Sequence, residues 1–148
     1  PFFRYAEVLL DKAECLLRLG QNKEEAARIV TELRKRDFDD AAKATVTVAD
    51  LEGDTRIKYG TLDWDNNIDA PGDQTPVLLG GLYDEWGIEF ACEAQRRTQM
   101  IRFGTYSTKN WFNHVAVKDG HTAIFPIPLS ALETNGKLDQ NPGYDSNR

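Results

Sequence analysis

"FRYAEVLLDKAECLLRLG", residues 3–20, decides the fold class. Ala6, Leu9, Leu10, Ala13, Leu16 and Leu17 recur at spacings of three and four, the period that lays one apolar stripe along an α-helix. Arg4, Glu7, Asp11, Glu14 and Arg18 repeat at the same period as the polar stripe. Glu14 stands four residues before Arg18, the favourable order for a helical ion pair. The pattern predicts a helix over 2–19, stopped by Gly20, which readily takes the left-handed conformation. Asn22, with Glu25 three residues on, reads as a variant capping box. A second helix then runs to about Arg36, with Ala26, Ile29, Val30 and Leu33 on its apolar face and Glu24/Arg28 and Glu32/Arg36 at ion-pair spacing. A link this short sets the two helices antiparallel. Residues 2–36 therefore read as a helical hairpin with small residues where the helices touch.

A single hairpin cannot bury its own apolar face, and helical-repeat folds need about three or more stacked units. The expectation is a mainly α chain that forms the C-terminal part (1–148) of a larger superhelical fold, with earlier repeats upstream of Pro1. Beyond the hairpin, residues 37–76 read as a long variable loop, rich in glycine, proline, acids and amides. Helical spacing returns over 77–104 through Leu79, Tyr83, Trp86, Phe90 and Ala94. Gly80 and Gly81 weaken it and place its start nearer Leu82. Residues 105–148 read as an irregular tail, with a short strand within 111–119 and one helical turn capped at Ser130.

The chain has 148 residues, 41% hydrophobic and 28% charged, an ordinary globular composition. Its net charge of −6 argues against nucleic acid or an anionic membrane surface as partner, since both call for a basic patch. Neutral ligands such as sugars remain compatible. No window approaches the ~18–20 apolar residues of a membrane span. Cys15 and Cys92 fit neither metal spacing nor a disulfide framework and read as buried free thiols.

Glu85, Glu89 and Glu93 form a carboxylate stripe, with Arg96 and Arg97 one turn on. Paired carboxylates can do hydrolytic chemistry, and a hydrolase using Glu85, Glu89 or Asp65 is one rival reading. Cations a turn away make an ion-pair network the simpler one. "DWDNNID", residues 63–69, has the alternate oxygen donors of a calcium loop, but Ile68 replaces its glycine and Gln74 its closing glutamate, so the template fails. Trp64 reads first as a partly buried turn residue. The alternative is a sugar contact, in which the indole covers the C–H face of a ring and Asp63, Asp65 and Asn66 reach its hydroxyls. Trp86 and Trp111 read as core. His114 and His121 lack ligand-spaced partners for a metal. No nucleophile elbow, phosphate loop or dinucleotide fingerprint occurs, so neither a catalytic residue nor a cofactor is assigned.

At the end of the chain, "IFPIPLSALETNGKLDQNPGY" (124–144) holds Pro126, Pro128 and Pro142. Prolines that lack N–H groups and push the preceding residue to extended geometry exclude a central strand. The expectation is a strap that buries Ile124, Phe125 and Ile127 on the domain's own surface. Asn141-Pro142-Gly143 makes the turn that brings Tyr144 back as an anchor.

Three of these stretches resemble the SusD/RagB family. Residues 3–20 are similar to its helix R-Y-A-E-x-L-L-x-x-A-E-x-x-x-x-L-G. "EWGIEFACEAQRRTQMIRFGTY" (85–106) resembles its E-R-x-x-E-F-x-x-E-G-x-R-R-x-D-x-I-R-F-G segment. Residues 124–144 resemble its closing F-P-I-P-x-x-x-x-x-x-N-x-x-L-x-Q-N-P-G-Y, the most specific of the three. Departures are Trp86-Gly87 for a basic residue, Ala94 for Gly and Gln99 for Asp. The resemblance implies a surface lipoprotein of the outer membrane in Bacteroidetes-type bacteria, built on tetratricopeptide-like helix pairs. It also implies a non-catalytic role: binding an oligosaccharide, or a peptide in RagB-like members, and passing it to a SusC-like TonB-dependent transporter. The lipid anchor would lie upstream of Pro1. A helical-repeat scaffold that binds protein is the alternative. Binding residues do not transfer position by position; Trp64, with Asp63, Asp65 and Asn66, is where the residues themselves point.

Overall fold

Helix α1 (Tyr5–Arg18) and helix α2 (Lys23–Arg34) pack against each other in a computed structural model that describes residues 3–145. Phe2, where the sequence pattern starts the first helix, lies outside the described residues. Ala6, Leu10, Ala13 and Leu17 of α1 and Ala26, Ile29, Val30 and Leu33 of α2 are buried, the faces that the periodicity indicates. Gly20 takes φ 65° and ends α1 as expected. Asn22 differs from expectation. It stands at the N-cap in left-handed conformation (φ 43°) with its side chain unbonded to the helix, and the first-turn carboxylate Glu25 is held elsewhere, by Arg28 and Lys12. The ion pairs on α2 also differ: Arg28 takes Glu25, Lys35 takes Glu32, and Arg36 reaches Glu89. Long guanidinium and ammonium arms choose the carboxylate that tertiary packing brings close, and spacing alone does not fix that choice.

Residues 37–76 are not one loop. They hold α3 (Ala41–Ala44), α4 (Val48–Glu52) and strands β1 (Gly60–Leu62) and β2 (Ile68–Ala70). Helix α4 opens on a full capping box: Thr47 Oγ1 accepts the Asp50 N–H and the Asp50 carboxylate accepts the Thr47 N–H. Helix α5 (Gly80–Glu89) begins at the glycines rather than at Leu82. A Cβ on Gly81 would lie 1.8 Å from the Asp50 carbonyl oxygen, and one on Gly80 2.1 Å from the Thr55 nitrogen. These glycines let the start of α5 abut the backbone of residues 50–55, and that packing outweighs their poor helix propensity.

The stretch 77–104 is two helices, α5 and α6 (Arg96–Arg102), not one. Cys92 (φ 64°) and Ala94 (φ 61°) turn the chain left-handed between them. Arg96 then folds back: its guanidinium lies 3.7 Å over the Tyr83 ring and donates to the Tyr83 carbonyl at 2.9 Å. A Cβ on Gly87 would stand 2.8 Å from that guanidinium, so the glycine leaves its path open. Both cysteines are exposed, against expectation. Cys15 lies on the outer side of α1, away from Ala13 and Leu17, and Cys92 lies in the left-handed turn.

Two compact units divide the described residues, 3–58 with 75–99 and 59–74 with 100–145. The first is the helical layer. Its core joins Leu10, Leu17, Val30 and Leu51 to Leu82, Tyr83 and Trp86 of α5, a helix buried along its whole first two turns. The second is built on a three-stranded sheet of order β2-β1-β3, with β3 at Trp111–Phe112. β1 pairs antiparallel with β2 (Thr61↔Ala70, Leu62↔Ile68) through a bulge, and parallel with β3 (Gly60↔Trp111, Thr61↔Phe112). A 3-10 turn (His121–Ala123) and α7 (Leu129–Thr134) follow.

The tail is a strap held by polar groups. Gln140 bonds Ile127 twice, accepting its N–H at 2.7 Å and donating to its carbonyl at 3.0 Å. Ile127 is the residue between Pro126 and Pro128 and the one there with a donor to offer. Asn141 donates to the Phe125 carbonyl and the Tyr144 hydroxyl to that of Ile124, while the Tyr144 ring stands edge-on to His121. The returning anchor is thus present. Ile124 and Phe125, however, are exposed, because the strap is fixed through its carbonyls rather than its side chains. Ser130 lies inside α7, which starts at Leu129 without a side-chain cap.

Candidate ligand-binding site

The hairpin of β1 and β2 turns at Asp63–Asn67. Asp63 Oδ1 accepts the N–H groups of Asp65 (2.9 Å) and Asn67 (2.8 Å), and Asn66 takes φ 61° at the corner. The Asn67 backbone N–H, more than the other donors, holds the Asp63 carboxyl below the usual carboxylate range. This Asx-type turn occupies both carboxylate oxygens of Asp63, the first donor that a calcium loop would need. It also lifts the next residue clear of the protein. Trp64 is fully exposed, not the partly buried turn residue that its sequence neighbours suggest.

Trp64, Asp63 and Asn66 line a cleft of about 590 Å³, together with Leu62, Asp69, Phe112 and Asn113. Asp65, the remaining predicted contact, is exposed on the same turn but does not line the cleft. Sequence reasoning misses Phe112, Asn113 and Asp69. Phe112 arrives through the parallel pairing of β3 with β1, a contact between residues some fifty apart that no local pattern encodes. Among the lining residues there is no cation. Two aromatic rings beside amide and carboxylate groups can cover a sugar ring's apolar face and bond its hydroxyls.

The glutamate stripe has a different use. Arg34 holds Glu85 with two hydrogen bonds, Arg56 adds a longer contact, and Arg4 and Arg36 hold Glu89. Arg4 reaches Glu93 as well and lies 4.4 Å over the Phe90 ring. An ion-pair network is there as expected, and the cations that hold its glutamates are Arg4 just before α1, Arg34 and Arg36 in and just after α2, and Arg56 after α4. Glu85 and Glu89 are clamped by guanidinium groups, an arrangement that ties the surrounding helices and segments together. Of the predicted core tryptophans, Trp86 is buried, and Trp111 is half-buried and stacks on His114 at 4.4 Å. Among the described residues no helix is long and apolar enough to cross a membrane.

A mainly helical chain with an aromatic cleft on a small sheet fits the class its sequence matches: the SusD family model covers residues 1–144, and the chain belongs to that family. It is similar to the starch-binding protein SusD of Bacteroides thetaiotaomicron, with 28% identity over 152 aligned positions. That alignment takes in 97% of this chain and 21% of the relative, so the chain spans about a fifth of the relative's length.

Proposed function

We propose that the chain is the C-terminal part of a non-catalytic glycan-binding lipoprotein at the outer-membrane surface, which captures an oligosaccharide and passes it to a SusC-like TonB-dependent transporter. Trp64 carries the reading: a fully exposed indole, held out by a hydrogen-bonded turn, on a chain of the SusD family. Leaving such an apolar surface in water has no folding benefit, whereas a sugar's C–H face would cover it. The similarity to a starch-binding protein makes neutral glucans the first ligands to try. Titration calorimetry of the full protein against an oligosaccharide panel tests this. The expected result is binding of at least one glycan, weakened about tenfold or more by Trp64→Ala. Absence of binding across the panel contradicts it.

One observation favours a second reading, a helical-repeat scaffold for protein partners. Tyr5, Val8, Cys15 and Leu19 stand exposed along α1 at the spacing of a helix-packing seam. A tight protein partner with no glycan bound selects this reading over the first.

A further inference from the structure

Phe112 sits where an aromatic residue is costly. Trp111 and His114 exchange both backbone hydrogen bonds (3.0 and 2.7 Å), which closes a two-residue turn with Phe112 at its first corner. Phe112 takes φ 45° there, a left-handed corner that such turns usually give to glycine. Packing does not compensate, because the side chain is 63% exposed. Strain kept at a position with no gain to the fold points to a use for the side chain. Phe112 lines the same cleft as Trp64.

The polar lining narrows what the walls receive. Asp63 is spent on its own turn, but the side chains of Asn66, Asp69 and Asn113 have no hydrogen-bond partner among the described residues. They are open to a ligand's hydroxyls. Asp63 and Asp69 lie at the cleft and Asp65 beside it, with no lysine or arginine in the lining, so the local field is negative. An anionic sugar would meet that field with no cation to pair it. The volume lies within the ~300–1,000 Å³ range of sites that hold drug-sized ligands, larger than one monosaccharide requires.

We propose that Phe112 is a second stacking wall, and that the cleft takes an uncharged oligosaccharide of two or more rings while excluding uronic-acid and sulfated chains. The proposal rests on the glycan-binding reading above. The test uses the full protein with neutral malto-, xylo- and manno-oligosaccharides of two to seven units, and oligogalacturonides of equal length. The expected result is that a neutral chain binds, that Trp64→Ala and Phe112→Ala each weaken it at least tenfold, and that galacturonides bind at least tenfold more weakly. Phe112→Gly separates function from fold. It relieves the strained corner, so the melting temperature holds or rises while binding falls as in Phe112→Ala. Retained affinity in Phe112→Ala, within twofold of wild type, overturns the second wall even where Trp64→Ala abolishes binding and the glycan reading stands. A galacturonide that binds as tightly as the neutral chain overturns the charge selection. If no glycan of either kind binds, the parent reading has failed and this proposal with it.

Discussion

Replacing Glu14 by alanine tests the packing of α1 on α5. The polar stripe places Glu14 on the solvent side of α1, yet it is buried, because the indole N–H of Trp86 donates to it at 3.1 Å and Arg18 at 2.8 Å. Trp86 is itself 1% exposed, so no water replaces the lost acceptor. An unpaired buried donor costs about 1–3 kcal/mol. The lost pair with Arg18, whose side chain is 36% exposed, adds at most about 0.5 kcal/mol. Glu14→Ala should therefore destabilise by about 1–3.5 kcal/mol. Glu14→Gln, which keeps an acceptor, should cost under about 1 kcal/mol. A double-mutant cycle with Trp86→Phe isolates the hydrogen bond. On the phenylalanine background Glu14→Ala should cost no more than about 0.5 kcal/mol, a coupling of about 1–3 kcal/mol. Urea unfolding followed by circular dichroism measures all four variants, provided the slope stays constant. Equal costs for the alanine and glutamine variants, or a coupling below about 0.3 kcal/mol, would show that the contact is not energetically formed.

Ala94 stands exposed at φ 61°, the position where the family pattern prefers glycine. A left-handed alanine costs ~1–2 kcal/mol, partly offset by the greater freedom of unfolded glycine, so Ala94→Gly should stabilise by about 0.5–1 kcal/mol in the same urea assay. A loss of stability would mean that the turn is not left-handed. The pH dependence has one clear local source. Arg28, and after it Lys12, lowers the Glu25 carboxyl from 4.5 to about 2. A carboxylate with a depressed folded-state pKa stabilises above its unfolded value and loses that contribution as pH falls through the folded one. Glu25→Gln should thus melt below wild type at pH 7, and the two should converge as pH falls from about 5 towards 2. The gap should also narrow in ~1 M salt, since these groups lie at the surface. A gap that persists unchanged at pH 2 refutes the pairing.

What is legible in the sequence follows the range of the interaction. The apolar faces of α1 and α2 repeat every three to four residues, so Leu10, Ala13, Val30 and Leu33 fall in the core without knowledge of any neighbour. The Asn-Pro-Gly turn and the return of Tyr144 are local for the same reason. Local patterns mislead where a distant residue sets the answer. Glu14 reads as solvent-facing until Trp86, 72 residues on, supplies a donor. Gly80 and Gly81 read as weak helix formers until residues 50–55 press against them. The ion pairs are legible as a class but not by partner, since Arg34 and Glu85 are 51 residues apart. The candidate site divides along the same line. Asp63, Trp64 and Asn66 belong to one turn and can be read together, whereas Phe112 joins them only through strand pairing. Its one local trace is the turn that Trp111 and His114 close around it, with glycine's place taken by a ring that the fold does not bury. A large side chain where the backbone asks for none, left in water, is a signal of function that becomes readable once the turn is known.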